Sequence, residues 1–222
     1  MSRLTEKFGI VPAVWPCDLN TADNPGDYVS MKNYKHLTVY IFVKTMGATS
    51  AVTMKQAKNV AGSGEKALAF VQYKLTGTKW RFTTLTGAFQ VGETVTGAGG
   101  ASGVVYEIGA DYLLVYTVNA TAVVDAETLT GATSLATAVA NGVGINEDIL
   151  LPLTCASTFT IPAVALRSYA IEVEASTLDV ANGFDCVRVQ VEDPGTAALG
   201  AALYILSEPR YAGIPMETAI YD

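Results

Sequence analysis

Glu93-Thr94-Val95-Thr96-Gly97-Ala98 returns as Glu127-Thr128-Leu129-Thr130-Gly131-Ala132, at an offset of 34 residues. A shorter echo, Thr84-Leu85-Thr86-Gly87-Ala88, precedes the first copy. Both phrases lie in a run, 82–146, that contains no Lys or Arg and is rich in Gly, Ala, Thr and Val. Its five charged residues, Glu93, Glu107, Asp111, Asp125 and Glu127, are all acidic, so the run carries −5 of the chain's net charge of −7. Within it, Gly92–Thr96, Val104–Ile108 and Tyr112–Val118 are apolar or β-branched segments separated by Gly-rich turns. Short hairpin connections of this kind pair each strand with its sequence neighbour, which predicts a compact meander or mini-barrel. Two copies are too few for a solenoid. The run 82–146 therefore reads as a small β domain inserted into a host.

Outward from the insert, both flanks read as strands. His36–Val43 is rich in β-branched and aromatic residues, and its near-continuous apolar character predicts a central strand buried on both faces. Ser50–Gln56 and Ala67–Tyr73 follow as strands, and Thr158–Pro162, Tyr169–Glu174, Cys186–Val191 and Ala202–Leu206 resume the pattern after the insert. Tyr169, Ile171 and Val173 alternate with Ala170, Glu172 and Glu174, as in a half-exposed antiparallel strand. Seven host strands without a convincing helix predict an all-β fold: an antiparallel β-sandwich over 35–81 and 147–206. Residues 1–34, broken by Pro12, Pro16 and Pro25, read as an N-terminal arm that packs on its own domain or crosses to a neighbour. Residues 207–222, with Arg210, Tyr211 and Tyr221 as anchors, read as a C-terminal arm.

Half of the 222 residues are hydrophobic and 16% are charged, a composition suited to a large buried or interface area. The acidic balance disfavours nucleic acid as a partner, because gripping phosphate takes clustered Lys and Arg. No run reaches the roughly 18–20 apolar residues of a membrane span, and Met1–Pro16 lacks the pattern of a secretory signal, so no membrane partner and a cytoplasmic origin are expected. Cys17, Cys155 and Cys186 are odd in number and far apart, which reads as reduced structural thiols.

Candidate chemistry is sparse. His36 is the single histidine and no G-x-S-x-G elbow exists to pair with it, so its expected role is structural. Asp18, Asn20, Asp23 and Asp27 offer oxygen ligands but do not fit the spacing of a calcium loop. Gly62-Ser63-Gly64 lacks the Walker pattern and reads as a plain loop. Glu172 and Glu174, alternate on one strand, read as a solvated face rather than a glycosidase pair. Tyr106, Tyr112 and Tyr116 are candidates for stacking on a glycan. No catalytic residue, metal site or cofactor is expected.

Three host phrases carry a resemblance: Asp27-Tyr28-Val29-Ser30-Met31-Lys32-Asn33-Tyr34, Ala61-Gly62-Ser63-Gly64-Glu65-Lys66-Ala67-Leu68, and Leu178-Asp179-Val180-Ala181-Asn182-Gly183-Phe184-Asp185-Cys186-Val187-Arg188. They resemble small structural proteins encoded beside capsid genes in tailed bacteriophages. The inserted Phe89-Gln90-Val91-Gly92-Glu93-Thr94-Val95-Thr96-Gly97 with Ala101-Ser102-Gly103 is similar to a β element of phage virion proteins. The resemblance implies a non-enzymatic head decoration or cement protein on the capsid exterior, assembled in the host cytoplasm. Its implied partners are the major capsid protein and neighbouring copies of itself, with a trimer favoured. A neck, tail or fibre-associated role, and a carbohydrate- or host-surface-binding insert, are the alternatives.

Overall fold

The computed structural model describes residues 8–210 except 71, 120, 156, 164 and 165. Among these the chain is all-β, with two single-turn 3-10 helices at Ala175–Thr177 and Val180–Asn182. The strands begin with β1 (Gly9–Asp18), β2 (Asn24–Pro25), β3 (Val29–Ser30), β4 (Tyr34–Met46), β5 (Ser50–Ala57) and β6 (Lys66–Ala67). They continue with β7 (Gln72–Thr86), β8 (Thr94–Gly97), β9 (Ser102–Ile108), β10 (Tyr112–Thr117), β11 (Thr128–Gly131) and β12 (Thr137–Ala140). The last are β13 (Ile145–Thr154), β14 (Thr158–Ile161), β15 (Arg167–Glu174), β16 (Cys186–Val191) and β17 (Ala198–Pro209). The chain divides into two compact units, one built on residues 75–151 and the other on the segments before and after it.

The flanking segments build two sheets. In the larger, β1, β17, β4 and β15 lie side by side; in the other, β14, β5, β16 and β2 do, with β3 beside β16 and β6 beside β5. Leu37, Val39, Ile41 and Val43 of β4 and Tyr204 and Leu206 of β17 are buried, as are Val52 and Met54 of β5 and Val187, Val189 and Val191 of β16. Side chains join the sheets. The Val189 N–H donates to Tyr204 Oη at 2.9 Å, and the Phe159 ring lies 5.4 Å from that of Tyr169. The antiparallel sandwich expected of the host is thus a pair of sheets meeting through alternate residues of their strands.

Two expectations need correction. β4 is not buried on both faces: Thr38, Tyr40 and Phe42 face outward, and Phe42 is 44% exposed. A continuous apolar run is compatible both with double burial and with a one-sided strand whose outer face is apolar, and local sequence does not separate the two. Ala67–Tyr73 is not one strand either. Only Lys66–Ala67 pairs with β5, and the next strand, the long β7, starts at Gln72. Of the two courses open to the N-terminal arm, Gly9–Asp18 takes the first and packs on its own unit as the edge strand beside β17, with register shifts between Pro12 and Val14 and between Val14 and Cys17. Proline has no N–H to give a ladder, so an edge position with bulges accommodates Pro12 and Pro16. Of the expected C-terminal arm, Ser207–Pro209 ends β17, whereas Tyr211 and Tyr221 lie outside the described residues.

Residues 75–151 close a barrel. The strands run β7, β10, β9, β8, β11, β12, and β12 pairs back onto β7. Of the meander and the mini-barrel that turn spacing allows, the structure has the barrel, whose closure leaves no open sheet edge in the ring. Trp80, Phe89, Val95, Val105, Leu113 and Leu129 fill its centre. Gly103 lies against Trp80, where a Cβ would come within 3.1 Å of the indole ring. The two copies of the repeated phrase, β8 and β11, are antiparallel neighbours with Thr96 opposite Thr130.

Candidate functional site

The side chains that the sandwich turns away from its core form the broadest candidate surface. Antiparallel pairing puts opposed residues on one side of a sheet, so Ile10, Ile205 and Thr38 share a face with Pro12, Leu203 and Tyr40, and with Ala201 and Phe42. A sheet face meeting only water usually alternates to polar residues; on its β1–β17 side this one is apolar, whereas His36 of β4 and Ser168, Glu172 and Glu174 of β15 make its other side polar. Ile10, Phe42 and Leu199 are each more than two-fifths exposed. Beside them lies a groove of about 390 Å³ lined by Pro16, Cys17, Asp18, Phe42, Lys44 and Leu199.

A second feature joins the three host phrases that carry the phage resemblance. Glu65 accepts hydrogen bonds from Tyr28 Oη at 2.7 Å and Lys55 Nζ at 2.6 Å, and pairs with Arg188 at 2.6 Å. The Lys55 bond first, then Tyr28 and the Arg188 charge, hold the Glu65 carboxyl below the usual carboxylate range. Lys66 bonds Asp179 and lies 4.1 Å over the Phe184 ring, while Arg188 lies 5.1 Å over Tyr28. Segments as far apart in sequence as Tyr28 and Arg188 thus meet in one network. The signal for it was in the phrases themselves, since each contributes a charged or aromatic residue; their meeting was not legible.

The residues weighed for chemistry are held in structural bonds. His36 Nδ1 is 3.1 Å from Ser207 Oγ, and its Nε2 is 3.8 Å from Glu174. Glu172 is bonded to Lys74 at 2.8 Å. Both glutamates, with Gln72 and Thr177, line a cleft of about 340 Å³, where Glu172 is paired with Lys74. In the Gly62–Gly64 loop, Gly62 N–H donates to the Asn59 carbonyl and Ser63 N–H to Asn59 Oδ1, so those amides are turned onto the loop itself. In the acidic turn, Asp18 accepts from Asn20 N–H, and Asp23 accepts from Gln190 Nε2 and Asp193 N–H. Among the described residues no three His, Cys, Asp or Glu side chains gather in a metal-holding group. Burial, reinforced by Asp185, pushes the Cys186 thiol up to about 12. Among the tyrosines, Tyr112 donates to Glu107 at 2.7 Å, packs its ring over Gly109 and has Lys79 Nζ 4.9 Å from its centroid, so its faces are already covered.

No family model matches this chain, and no curated protein does. Among solved structures the chain is similar to a protein of infectious bursal disease virus, Gt strain. The two are 10% identical, with 100% of this chain and 47% of the other covered, at a TM-score of 0.21. For the Gx strain of the same virus the identity is 9%, the coverage 97% and 44%, and the TM-score 0.19. The chain spans less than half the length of those proteins, and a likeness this slight carries no argument about fold or function.

Proposed function

We propose that this chain is a non-enzymatic structural protein of a tailed-phage virion, working as a head decoration or cement protein. The observation that carries this reading is the apolar part of the large sheet's outer face, around Ile10, Phe42 and Leu199. Contiguous exposed apolar area of that kind marks a surface that works in contact with protein. A shell protein gains from such area and from symmetric association, and needs no reactive pocket. Glu172 is engaged by Lys74 and the Gly62–Gly64 loop amides by Asn59, in keeping with a binding role. The phage-like phrases supply the class of partner: the major capsid protein, with neighbouring copies of this chain, a trimer being the favoured assembly.

The test is to add purified protein to expanded, undecorated heads. Saturable binding is expected, reduced at least tenfold by Phe42→Glu, since burying an unpaired charge in an apolar contact costs more than about 1.4 kcal/mol. Absence of saturable binding overturns the decoration role. Cryo-EM density at the neck, tail or fibre instead of the head would move the protein to another virion component.

A further inference from the structure

The repeated phrase sets two buried acidic side chains in the barrel, and the structure gives both the same task. Glu93 and Glu127 are 5% and 8% exposed. Glu93 Oε1 accepts the Gln90 N–H at 2.6 Å, and Glu127 Oε1 accepts the Val124 N–H at 2.7 Å. Glu93 Oε2 accepts the Thr133 N–H at 3.1 Å, and Glu127 Oε2 accepts the Gly99 N–H at 2.7 Å. Gln90 and Val124, like Gly99 and Thr133, are themselves 34 residues apart. Each glutamate therefore ties down the loop that follows the other copy, and the two copies form a pseudo-twofold pair.

Backbone bonds repeat the relation. Ala98 N–H donates to the Thr128 carbonyl and Ala132 N–H to the Thr94 carbonyl. The glycines of the phrase are explained by the same contacts: a Cβ on Gly97 would lie 2.7 Å from the Glu127 carboxyl carbon, and one on Gly131 would lie 2.6 Å from Glu93 Oε2. Only hydrogen fits between strand and carboxylate.

From this geometry we infer that the barrel is a carboxylate-latched unit that acid opens. Both oxygens of each glutamate receive hydrogen bonds from N–H donors, and Glu93 also receives the Ser134 hydroxyl. A protonated carboxyl, or a carboxamide, turns a donor of its own toward one of these N–H groups, so the latch needs the ionised form. The Glu93 carboxyl is held below its ordinary 4.5: burial raises it, and the bonds from Ser134, Gln90 and Thr133 outweigh that. A depressed folded value means that the stabilisation is full above the unfolded value and is lost as pH falls below about 4.5.

The other charged groups of the run are acidic and engaged outside the latch: Glu107 with Tyr112, Asp111 with Arg81, and Asp125 with the Gly142 N–H. The remaining cation of this region, Lys79, lies over Tyr112. The latch is thus held by amide and hydroxyl dipoles.

Trp80, 1% exposed in the barrel core, reports the state of this unit, and Trp15→Phe removes the other tryptophan, which is 70% exposed. In full-length Trp15→Phe protein, Trp80 emission is expected to shift to the red as pH falls below about 4.5. Glu93→Gln and Glu127→Gln are each expected to lower the thermal midpoint of the Trp80 signal at pH 7 by about 10 °C or more, because several charge-assisted bonds go at once. Glu107→Gln, at the surface, leaves that midpoint in place. Trp80 emission unchanged down to pH 3 overturns the inference, as does a fall in Glu107→Gln equal to that in Glu93→Gln. Should the Gln variants fail to fold, the acid titration of the parent protein and of Glu107→Gln decides alone.

Discussion

The sandwich and the barrel neutralise their carboxylates in opposite ways. In the sandwich unit, Glu65 meets Lys55 and Arg188, Asp179 meets Lys66, and Glu172 meets Lys74. In the barrel, the buried carboxylates Glu93 and Glu127 meet backbone N–H groups and one hydroxyl, and residues 82–146 contain no Lys or Arg to offer them. Ion pairs between long, part-exposed side chains are screened by salt and worth little individually. The amides that meet Glu93 and Glu127 belong to short turns beside the barrel strands, so each carboxylate gains several short bonds without ordering a long charged side chain. The sandwich is accordingly a fold of apolar faces with charge at its margins, whereas the barrel has charge built into its closure.

That contrast can be broken or sharpened experimentally. The largest effect comes from excising residues 75–151 and joining Lys74 to Pro152, which line one cleft, by a short Gly-Ser linker. If the run is an inserted domain, the sandwich keeps its cooperative melt and the protected amides of β4 and β16, measured by hydrogen exchange. Unfolding of the whole chain would make the barrel part of one shared core. A smaller loss is expected from Tyr204→Phe, which leaves the Val189 N–H between the two sheets without its acceptor. Chemical denaturation should show a loss of about 1–3 kcal/mol in the sandwich, with Trp80 emission at neutral pH unchanged.

The smallest effect is a gain. Ala126 has φ of +62° at the position that Gly92, at +87°, occupies in the first copy. Ala126→Gly removes a Cβ from left-handed backbone and should stabilise the barrel by about 0.5–1 kcal/mol, read as a rise in the Trp80 melting midpoint. No gain there would mean that the two copies bear backbone strain differently from what their symmetry implies.

The repeat was legible as a repeat, and its spacing of short strands narrowed the insert to meander or barrel. Closure was not legible, because it depends on β12 returning to β7, and no local pattern announces which distant strand a segment will pair with. The host strands after the insert were legible from alternation, most clearly Cys186–Val191 and Tyr169–Glu174, the second of which starts two residues earlier in the structure, at Arg167. Ala67–Tyr73 misled because a short apolar run also fits a segment that merely covers a core: Leu68 and Phe70 are buried without belonging to a strand. The outer face of β4 misled for a related reason, since apolarity records what a side chain tolerates and not which neighbour it has.

By itself the sequence determined the all-β class, the duplicated phrase and the sign of the charge in the insert, all of which are written in local composition and in periods of two residues. Tertiary structure alone decided that Glu93 serves the loop after β11 and Glu127 the loop after β8, and that Tyr28, Glu65 and Arg188 share one network. The physical reason is the same in both cases. A carboxylate's choice of partner is settled by which donors the closed backbone holds within bonding distance, and that closure is a property of the whole chain.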